Sequence, residues 1–168
     1  LVRAGTRIDR HPFRMKTILV PVDFSPVTRA VIREAAALAR RERAQLVLLH
    51  AIPPPNLIAT DAAAFAGPLL ELSTSAERVA RRHLARLGTA LERHKLKVRT
   101  YCVQGLPAVE IERIARHLRP AFVVIGSHGH SAFYDLVLGS TTMAAIKRAR
   151  CPVLVVPAHP PAKTSRRR

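Results

Sequence analysis

Cysteine, aromatic residues and long apolar runs are all scarce in this sequence of 168 residues, which has no tryptophan and only 4% aromatic residues. Its two cysteines, Cys102 and Cys151, are too few for a metal framework or for a disulfide-stapled secreted scaffold. No apolar run reaches the roughly 18 to 20 residues of a membrane-spanning helix, and no signal-peptide core follows the basic N-terminus. We therefore expect a soluble, cytoplasmic protein with two reduced thiols and no membrane insertion.

Acidic residues are also scarce: 11 Asp and Glu stand against 28 Lys and Arg, a formal net charge of +17. Residues 1–14 carry +3 and residues 158–168 carry +4, which leaves +10 between them. Such a field attracts any polyanion and does not choose among nucleic acid, anionic lipid and phosphorylated metabolites. One predicted helix carries an arginine stripe without the interleaved aromatic residues of single-strand binders, which favours a solvated face over a nucleic-acid contact: Arg78, Arg81, Arg82 and Arg86.

Short apolar runs alternate with amphipathic stretches along most of the chain. The runs predict strands over 17–22, 45–51, 97–103, 121–125 and 152–156, and the amphipathic stretches predict helices over 26–43, 69–94, 107–118 and 139–149. Most of the strand runs are apolar throughout, as in strands buried on both faces of a parallel sheet, whereas 97–103 alternates and indicates an edge. We predict a Rossmann-like α/β fold, a three-layer α/β/α sandwich around a mostly parallel five-stranded sheet.

The same patterns set the predicted domain boundaries. Residues 15–157 form one domain, and residues 1–14 and 158–168 are flexible basic arms with nothing to bury. Ser25 is placed as the N-cap of the first helix, with Pro26 at its first position. The Pro- and Ala-rich stretch 53–68 is the longest irregular connection, either a variable surface loop or a mobile lid.

A glycine-rich stretch after the fourth strand has the layout of a phosphate cradle. Gly126 ends the apolar run, Gly129 follows, and Gly139, Ser140 and Thr141 precede the last helix. Glycines let a backbone approach an anion closely, and a helix N-terminus supplies N–H donors and a positive dipole end. A nucleotide is the first hypothesis for the ligand.

Asp23 follows the first predicted strand and Ala51 ends the second, so both reach the edge of the sheet where open α/β sheets bind ligands. If the first and fourth strands are neighbours, these residues surround one crevice with Gly126. Asp23 would then contact a ribose or help to hold Mg²⁺ or Mn²⁺ between itself and the phosphates. The alternative for Asp23 is a turn or cap residue before the first helix.

Several blocks of the sequence resemble the ATP-binding class of universal stress proteins. Gly126, Gly129 and Gly139-Ser140 match that family's G-x2-G-x9-G-(S/T) signature. The opening M-K-T-I-L-V-P-V-D-F-S, the L-L-H-A of the second strand, the V-x-G-x-P that begins at Val103 and the closing C-P-V-L-V-V-P agree in order and position. The resemblance covers residues 15–157.

The resemblance implies a sheet order of 3-2-1-4-5, bound ATP, ADP or another adenine nucleotide with Mg²⁺ or Mn²⁺, and a homodimer through the last strand, Val153–Val156. It implies an adenosine side made by Pro21, Val22, Asp23 and Ala51. It implies a ribose and phosphate side made by Gly126, Ser127, Gly129, Gly139, Ser140 and Thr141.

Three positions depart from the common family pattern. His130, also on the phosphate side, stands where the family often has Arg or Lys, so its charge depends on pH. Asp135 places an acid inside the nine-residue spacer, and Ala51 replaces a larger aliphatic residue.

The chain has no G-x4-G-K-(S/T) loop, which excludes a P-loop enzyme. The leading interpretation is a regulatory nucleotide-binding module of the stress response. The alternatives are a nucleic-acid-associated basic stress protein and a slow ATP hydrolase.

Overall fold

The computed structural model describes residues 15–54, 62–127 and 138–157, and strands and helices alternate through them. The elements are β1 (Thr17–Pro21), α1 (Thr28–Glu42), β2 (Gln45–Ile52), α2 (Ala62–Arg93), β3 (Val98–Gln104), α3 (Pro107–Leu118), β4 (Phe122–Gly126), α4 (Ser140–Arg148) and β5 (Val153–Val156). The predicted arms at residues 1–14 and 158–168 lie outside the described residues.

The strands form one parallel sheet in the order β3-β2-β1-β4-β5. Leu19 of the central strand β1 pairs with Val47 on one side and with Val123 on the other. The predicted α/β fold, the parallel sheet and its order are confirmed, and β3 lies at an edge as its alternating sequence predicted. The adjacency of β1 and β4 brings the ends of β1, β2 and β4 to one place.

Alternate residues of β1 face two separate cores. Ile18 and Val20 lie with residues of α1 and α2 on one face, and Leu19 lies with residues of α3 and α4 on the other. All three of these β1 side chains are fully buried. Because an apolar run must be covered on both faces, the helices complete three layers.

The start of α1 differs from the prediction that Ser25 caps it. The helix begins at Thr28, its N-cap is Val27, and no side chain caps it. Ser25 Oγ instead donates to Asp23 Oδ1 over 2.6 Å, and Thr28 N–H donates to the Ser25 carbonyl over 3.0 Å. A carboxylate is a stronger acceptor than a hydroxyl, so Asp23 organises this turn and Ser25 is one of its donors.

The start of α2 also differs from the prediction. The helix begins at Ala62 rather than Leu69, so it includes the last part of the predicted irregular connection 53–68. Four of its first five residues are alanines, and alanine has the highest helix propensity. Residues 55–61, where the lid interpretation falls in part, lie outside the described residues. Among the described helices, none is both long and apolar enough to cross a membrane.

Candidate functional site

A cavity of about 540 Å³ opens at the carboxyl ends of β1, β2 and β4. This volume is within the usual range for small-molecule sites. Its described wall combines the ends of these strands with one side of α1 and the first turns of α3 and α4. The wall residues are Pro21, Val22, Asp23, Val27, Thr28, Val31, Leu49, His50, Ala51, Pro53, Pro107, Ile111, Ile125, Gly126, Gly139, Ser140, Thr141 and Thr142.

Both backbone polar groups of Val22, the N–H and the carbonyl, are hydrogen-bonded to residues of β2. Its N–H donates to the Leu49 carbonyl over 2.8 Å, and its carbonyl lies 2.8 Å from Nδ1 of His50. Because a carbonyl only accepts, this contact requires the proton on Nδ1 of His50. A neutral His50 therefore has its unprotonated nitrogen at Nε2. The segment that leaves β1 is fixed in position at the edge of the cavity.

Asp23 serves the turn before α1 and also lines the cavity. Its Oδ1 accepts from the backbone N–H of Ser25 at 3.0 Å, from Ser25 Oγ at 2.6 Å and from Thr28 Oγ1 at 3.4 Å. These hydrogen bonds orient the carboxyl group. The structure thus supplies direct support for the turn role of Asp23 and places it on the cavity wall as well.

The start of α4 is fastened to the end of β4 by two hydrogen bonds. The N–H of Gly139 donates to the Ser127 carbonyl over 2.9 Å, and Thr142 Oγ1 donates to the Gly126 carbonyl over 2.7 Å. Gly139 is the N-cap, with an extended backbone, so the first N–H groups of α4 have no acceptor within the helix. Together with Ser140 and Thr141 they form a donor-rich, electropositive end on the cavity wall.

The structure brings most of the predicted site residues together. Eight of them lie on one wall: Pro21, Val22, Asp23, Ala51, Gly126, Gly139, Ser140 and Thr141. Ser127 is buried beside that wall, and its N–H donates to the Val156 carbonyl over 2.8 Å. Gly129, His130 and Asp135 lie outside the described residues, so the roles predicted for them stay predictions.

Sequence reasoning did not select several wall residues. Val31 belongs to the apolar stripe of α1, Val27 is the apolar N-cap one turn before it, and Ile111 belongs to the stripe of α3, so their pattern indicates core alone. Thr142 directly follows Ser140 and Thr141, and this position was its signal. His50 carried a usable signal, because a polar side chain is unusual near the end of a strand as apolar as β2.

The described part of the chain contains no group of three or more His, Cys, Asp or Glu that could hold a metal ion. At this cavity, Asp23 is the one carboxylate among the described wall residues. A single carboxylate fits Mg²⁺ that arrives with phosphate oxygens as its other ligands, and it does not fit an ion held by protein groups alone.

Comparisons with known proteins agree with this architecture. Residues 15–157 match the model of a family described as the universal stress protein family. Universal stress protein A homolog 1 of Coxiella burnetii is 31% identical over 145 residues, which cover 84% of this chain and 95% of that protein. Universal stress protein MJ0577 of Methanocaldococcus jannaschii is 28% identical over 152 residues, covering 84% and 94%.

Solved structures extend the likeness to the fold. The structure of the Methanocaldococcus jannaschii protein has a TM-score of 0.73 at 29% identity, covering 85% of this chain and 96% of that one. A more distant one, the universal stress protein of Archaeoglobus fulgidus in complex with dAMP, has a TM-score of 0.56 at 19% identity, covering 83% and 96%. That second likeness concerns the fold alone.

Proposed function

This chain belongs to the universal stress protein family, and on that premise we propose that it is a regulatory module that binds an adenine nucleotide, ATP above all, in the cavity described above. The observation that carries the proposal is the division of the cavity wall into two chemically different sides. An apolar side at the ends of β1 and β2 faces a side made of glycine backbone, hydroxyls and a helix N-terminus. These are the requirements of a purine and of a phosphate chain, respectively.

The adenosine part would lie against Pro21, Val22 and Ala51, with Asp23 toward the ribose. Leu49 and Val31 extend the apolar surface on this side. His50 and Leu49 hold the Val22 backbone, so the slot needs little reorganisation to receive a planar base. The fixed backbone supports selection of the base by shape.

The phosphates would lie at the N-terminus of α4. Gly126, Gly139, Ser140 and Thr141 line the cavity there. By the resemblance to the family, we propose that Ser127, Gly129 and His130 contribute to the same side. Neutral N–H and hydroxyl donors hold an anion without a permanent positive charge on the wall. Asp23 lines the same cavity, and its carboxylate would repel the phosphates. We therefore propose that Mg²⁺ or Mn²⁺ accompanies the nucleotide.

Isothermal titration of ATP into the wild-type chain and into Gly139→Asp tests this assignment. Aspartate is a favourable N-cap residue, so the variant should fold, but its carboxylate would repel a phosphate at the start of α4. Gly139→Asn is the matched control, with nearly the same shape and no charge. We expect micromolar-range ATP binding, little change for Gly139→Asn and a loss of at least about tenfold for Gly139→Asp.

Two ligand series complete the experiment. Affinity should fall from ATP through ADP and AMP to adenosine if the phosphates contact α4, and GTP should bind more weakly if the apolar slot selects adenine. Chelation of divalent ions should weaken the binding of ATP more than the binding of adenosine. The absence of measurable ATP binding by the wild-type chain, with correct folding verified, would refute the proposed function.

We also propose that the chain forms a homodimer through the β5 edge and works in the reducing cytoplasm. Val153–Val156 is an edge strand, and Leu154 is 41% exposed on it. An unprotected apolar edge favours pairing with a second copy. Cys102 and Cys151 do not form a disulfide bond, which is compatible with a reducing compartment.

Sedimentation equilibrium tests the dimer. Leu154→Lys places a charge on the edge and should yield a monomer. Val79→Lys makes the same change at a side chain that is 53% exposed on α2, and it should leave the dimer intact. A wild-type chain that stays monomeric at the highest concentrations used would exclude this assembly.

A further inference from the structure

A second cavity, of about 620 Å³, lies between α1 and α2 on the other side of Phe24. Its floor is formed by Phe24, Ile32 and Leu87, which are half-buried side chains packed against the core beneath. Arg29, His83 and Arg86 stand around its rim. The cavity therefore combines an apolar floor with a cationic rim.

No acidic group neutralises the positive charge of the described rim residues. No Asp or Glu occurs among the described wall residues of this cavity. Most of the described glutamates are held by other cations, as Glu77 is by Arg81 and Glu42 is by Lys16. Within the described part of the chain, neither Arg29 nor Arg86 has an ion-pair partner. Guanidinium groups present planar donor pairs that match phosphate and carboxylate oxygens.

Phe24 lines the second cavity and also contacts His50, a wall residue of the first. Its ring packs 4.4 Å from the His50 ring, which lines the first cavity, and 5.1 Å from the His83 ring, which it meets edge-on. Its backbone has φ 62°, a left-handed conformation that is rare for a bulky residue. Phe24 lies between Asp23 and Ser25 in the turn before α1, and it lines the second cavity. An aromatic face beside two guanidinium groups suits a ligand with a planar body and an anionic head.

From this geometry we propose that the cavity between α1 and α2 is a second ligand site, which takes a small phosphate monoester with an aromatic or similarly flat apolar body. The body lies on Phe24, Ile32 and Leu87, and the phosphate lies between Arg29 and Arg86. The inference does not depend on nucleotide binding in the first cavity. It assigns a specific role to two arginines among many on a basic surface.

The test is titration of the full-length chain with phenyl phosphate, followed by NMR of the arginine Nε–H groups and of the backbone amides. We expect concentration-dependent shifts of Arg29, Arg86 and Phe24, with binding in the millimolar range because the guanidinium groups are exposed. Inorganic phosphate should bind several-fold more weakly because it lacks the apolar body, and phenol should leave the arginine signals unchanged.

Two double variants separate a site from general electrostatic attraction. Arg29→Ala/Arg86→Ala should weaken phenyl phosphate binding about tenfold. Arg33→Ala/Arg82→Ala removes the same charge from exposed positions on the same two helices and should leave binding unchanged. Because the shift map of the wild-type chain needs no substitution, poor folding of a variant would not remove the test.

Several results would overturn the proposal. They are equal weakening in the two double variants, shifts confined to Ser140 and Thr141 in the first cavity, and no shifts up to ~10 mM phenyl phosphate. Displacement of phenyl phosphate from Arg29 and Arg86 by a short oligonucleotide at lower concentration would identify nucleic acid as the occupant instead. The phenyl phosphate titration of Gly139→Asp should show the same arginine shifts as the wild-type chain. Binding at the second cavity is thereby distinguished from binding at the first.

Discussion

A single buried hydroxyl connects the sheet to the helix that we propose as the phosphate anchor. Thr142 is 3% exposed, and its Oγ1 donates to the Gly126 carbonyl over 2.7 Å. The neighbouring Ser140 and Thr141 face the cavity without being fully buried. Three consecutive hydroxyl residues thus divide into two potential ligand contacts and one structural contact, a division that the G-S-T-T sequence alone does not reveal.

Thr142→Val should destabilise the fold because valine keeps the shape and leaves the Gly126 carbonyl without this donor. The expected loss is about 1–3 kcal/mol in the free energy of unfolding. Urea denaturation with an unchanged m-value would measure it. Thr89→Val, an exposed substitution on α2, is the control and should change stability by less than about 0.5 kcal/mol. Equal effects of the two substitutions would show that the hydroxyl of Thr142 is not the cause.

The two thiols should be unreactive in the native protein. Burial raises the pKa of the Cys102 thiol and also that of the half-buried Cys151 thiol, which packs against the core that contains Leu19. Because the thiolate is the reactive form, alkylation by iodoacetamide at about pH 8 should be much slower in the native chain than in urea. Cys102→Ala and Cys151→Ala assign the residual rate to one thiol. Alkylation of native Cys102 at the rate of a free thiol would contradict this expectation.

The raised thiol pKa values also set the direction of a pH effect on stability. In the unfolded chain a thiol loses its proton near about pH 8.5, whereas the buried thiol keeps it to higher pH. Above that pH the unfolded state binds fewer protons than the native state, so the free energy of unfolding falls as pH rises. Cys102→Ala should reduce the slope of this fall.

Among the secondary-structure elements, the strands and the starts of α3 and α4 could be predicted well, whereas the starts of α1 and α2 could not. β1, β2 and β4 are apolar on both faces, and that pattern has few alternatives to a central parallel strand. The start of α1 depends on whether Asp23 or Ser25 organises the turn, and both residue types are common there. The structure shows that Asp23 organises the turn, because its Oδ1 accepts hydrogen bonds from both Ser25 and Thr28.

The connection between β3 and α3 depends on a glycine that has no room for a side chain. Gly105 has φ 149°, and a Cβ built on it would lie 2.8 Å from the Glu110 side chain. Gly105→Ala should therefore destabilise the fold by about 1–2 kcal/mol, from backbone strain and displacement of Glu110. Thermal and urea unfolding would measure the loss.

Gly88 gives the matched control inside a helix. It lies within α2, and an added Cβ would meet Thr100 at 3.4 Å, an ordinary contact distance. Gly88→Ala should be neutral or raise stability by up to about 1 kcal/mol, because alanine has the higher helix propensity. Opposite signs for the two substitutions would support both descriptions, and a stabilising Gly105→Ala would contradict the proposed strain.

At the scale of the whole molecule, the topology explains how the predicted site is assembled. Asp23 and Gly126 are far apart in sequence, and they meet because β1 and β4 are neighbours in the sheet. Residue patterns predicted the strands, and the resemblance to the family supplied their order. Contacts such as that of His50 with the Val22 carbonyl required coordinates, because they depend on side-chain direction at a strand end.

Two kinds of anion binding, general attraction to the net positive charge and binding in the first cavity, should differ in their dependence on salt. A charge of +17 attracts DNA through many exposed side chains, so duplex binding should be non-specific and should weaken by about 10³-fold between ~50 and ~200 mM salt. A nucleotide bound as we propose in the first cavity would be held mainly by fixed N–H and hydroxyl donors, and salt screens such contacts less than it screens exposed charges. Its affinity should change by less than about tenfold over the same range.

Parallel mobility-shift and calorimetric titrations measure the salt dependence of DNA binding and of nucleotide binding. Equal slopes would mean that the general field, rather than the wall around Gly139, holds the nucleotide, and DNA binding that is insensitive to salt would indicate specific recognition.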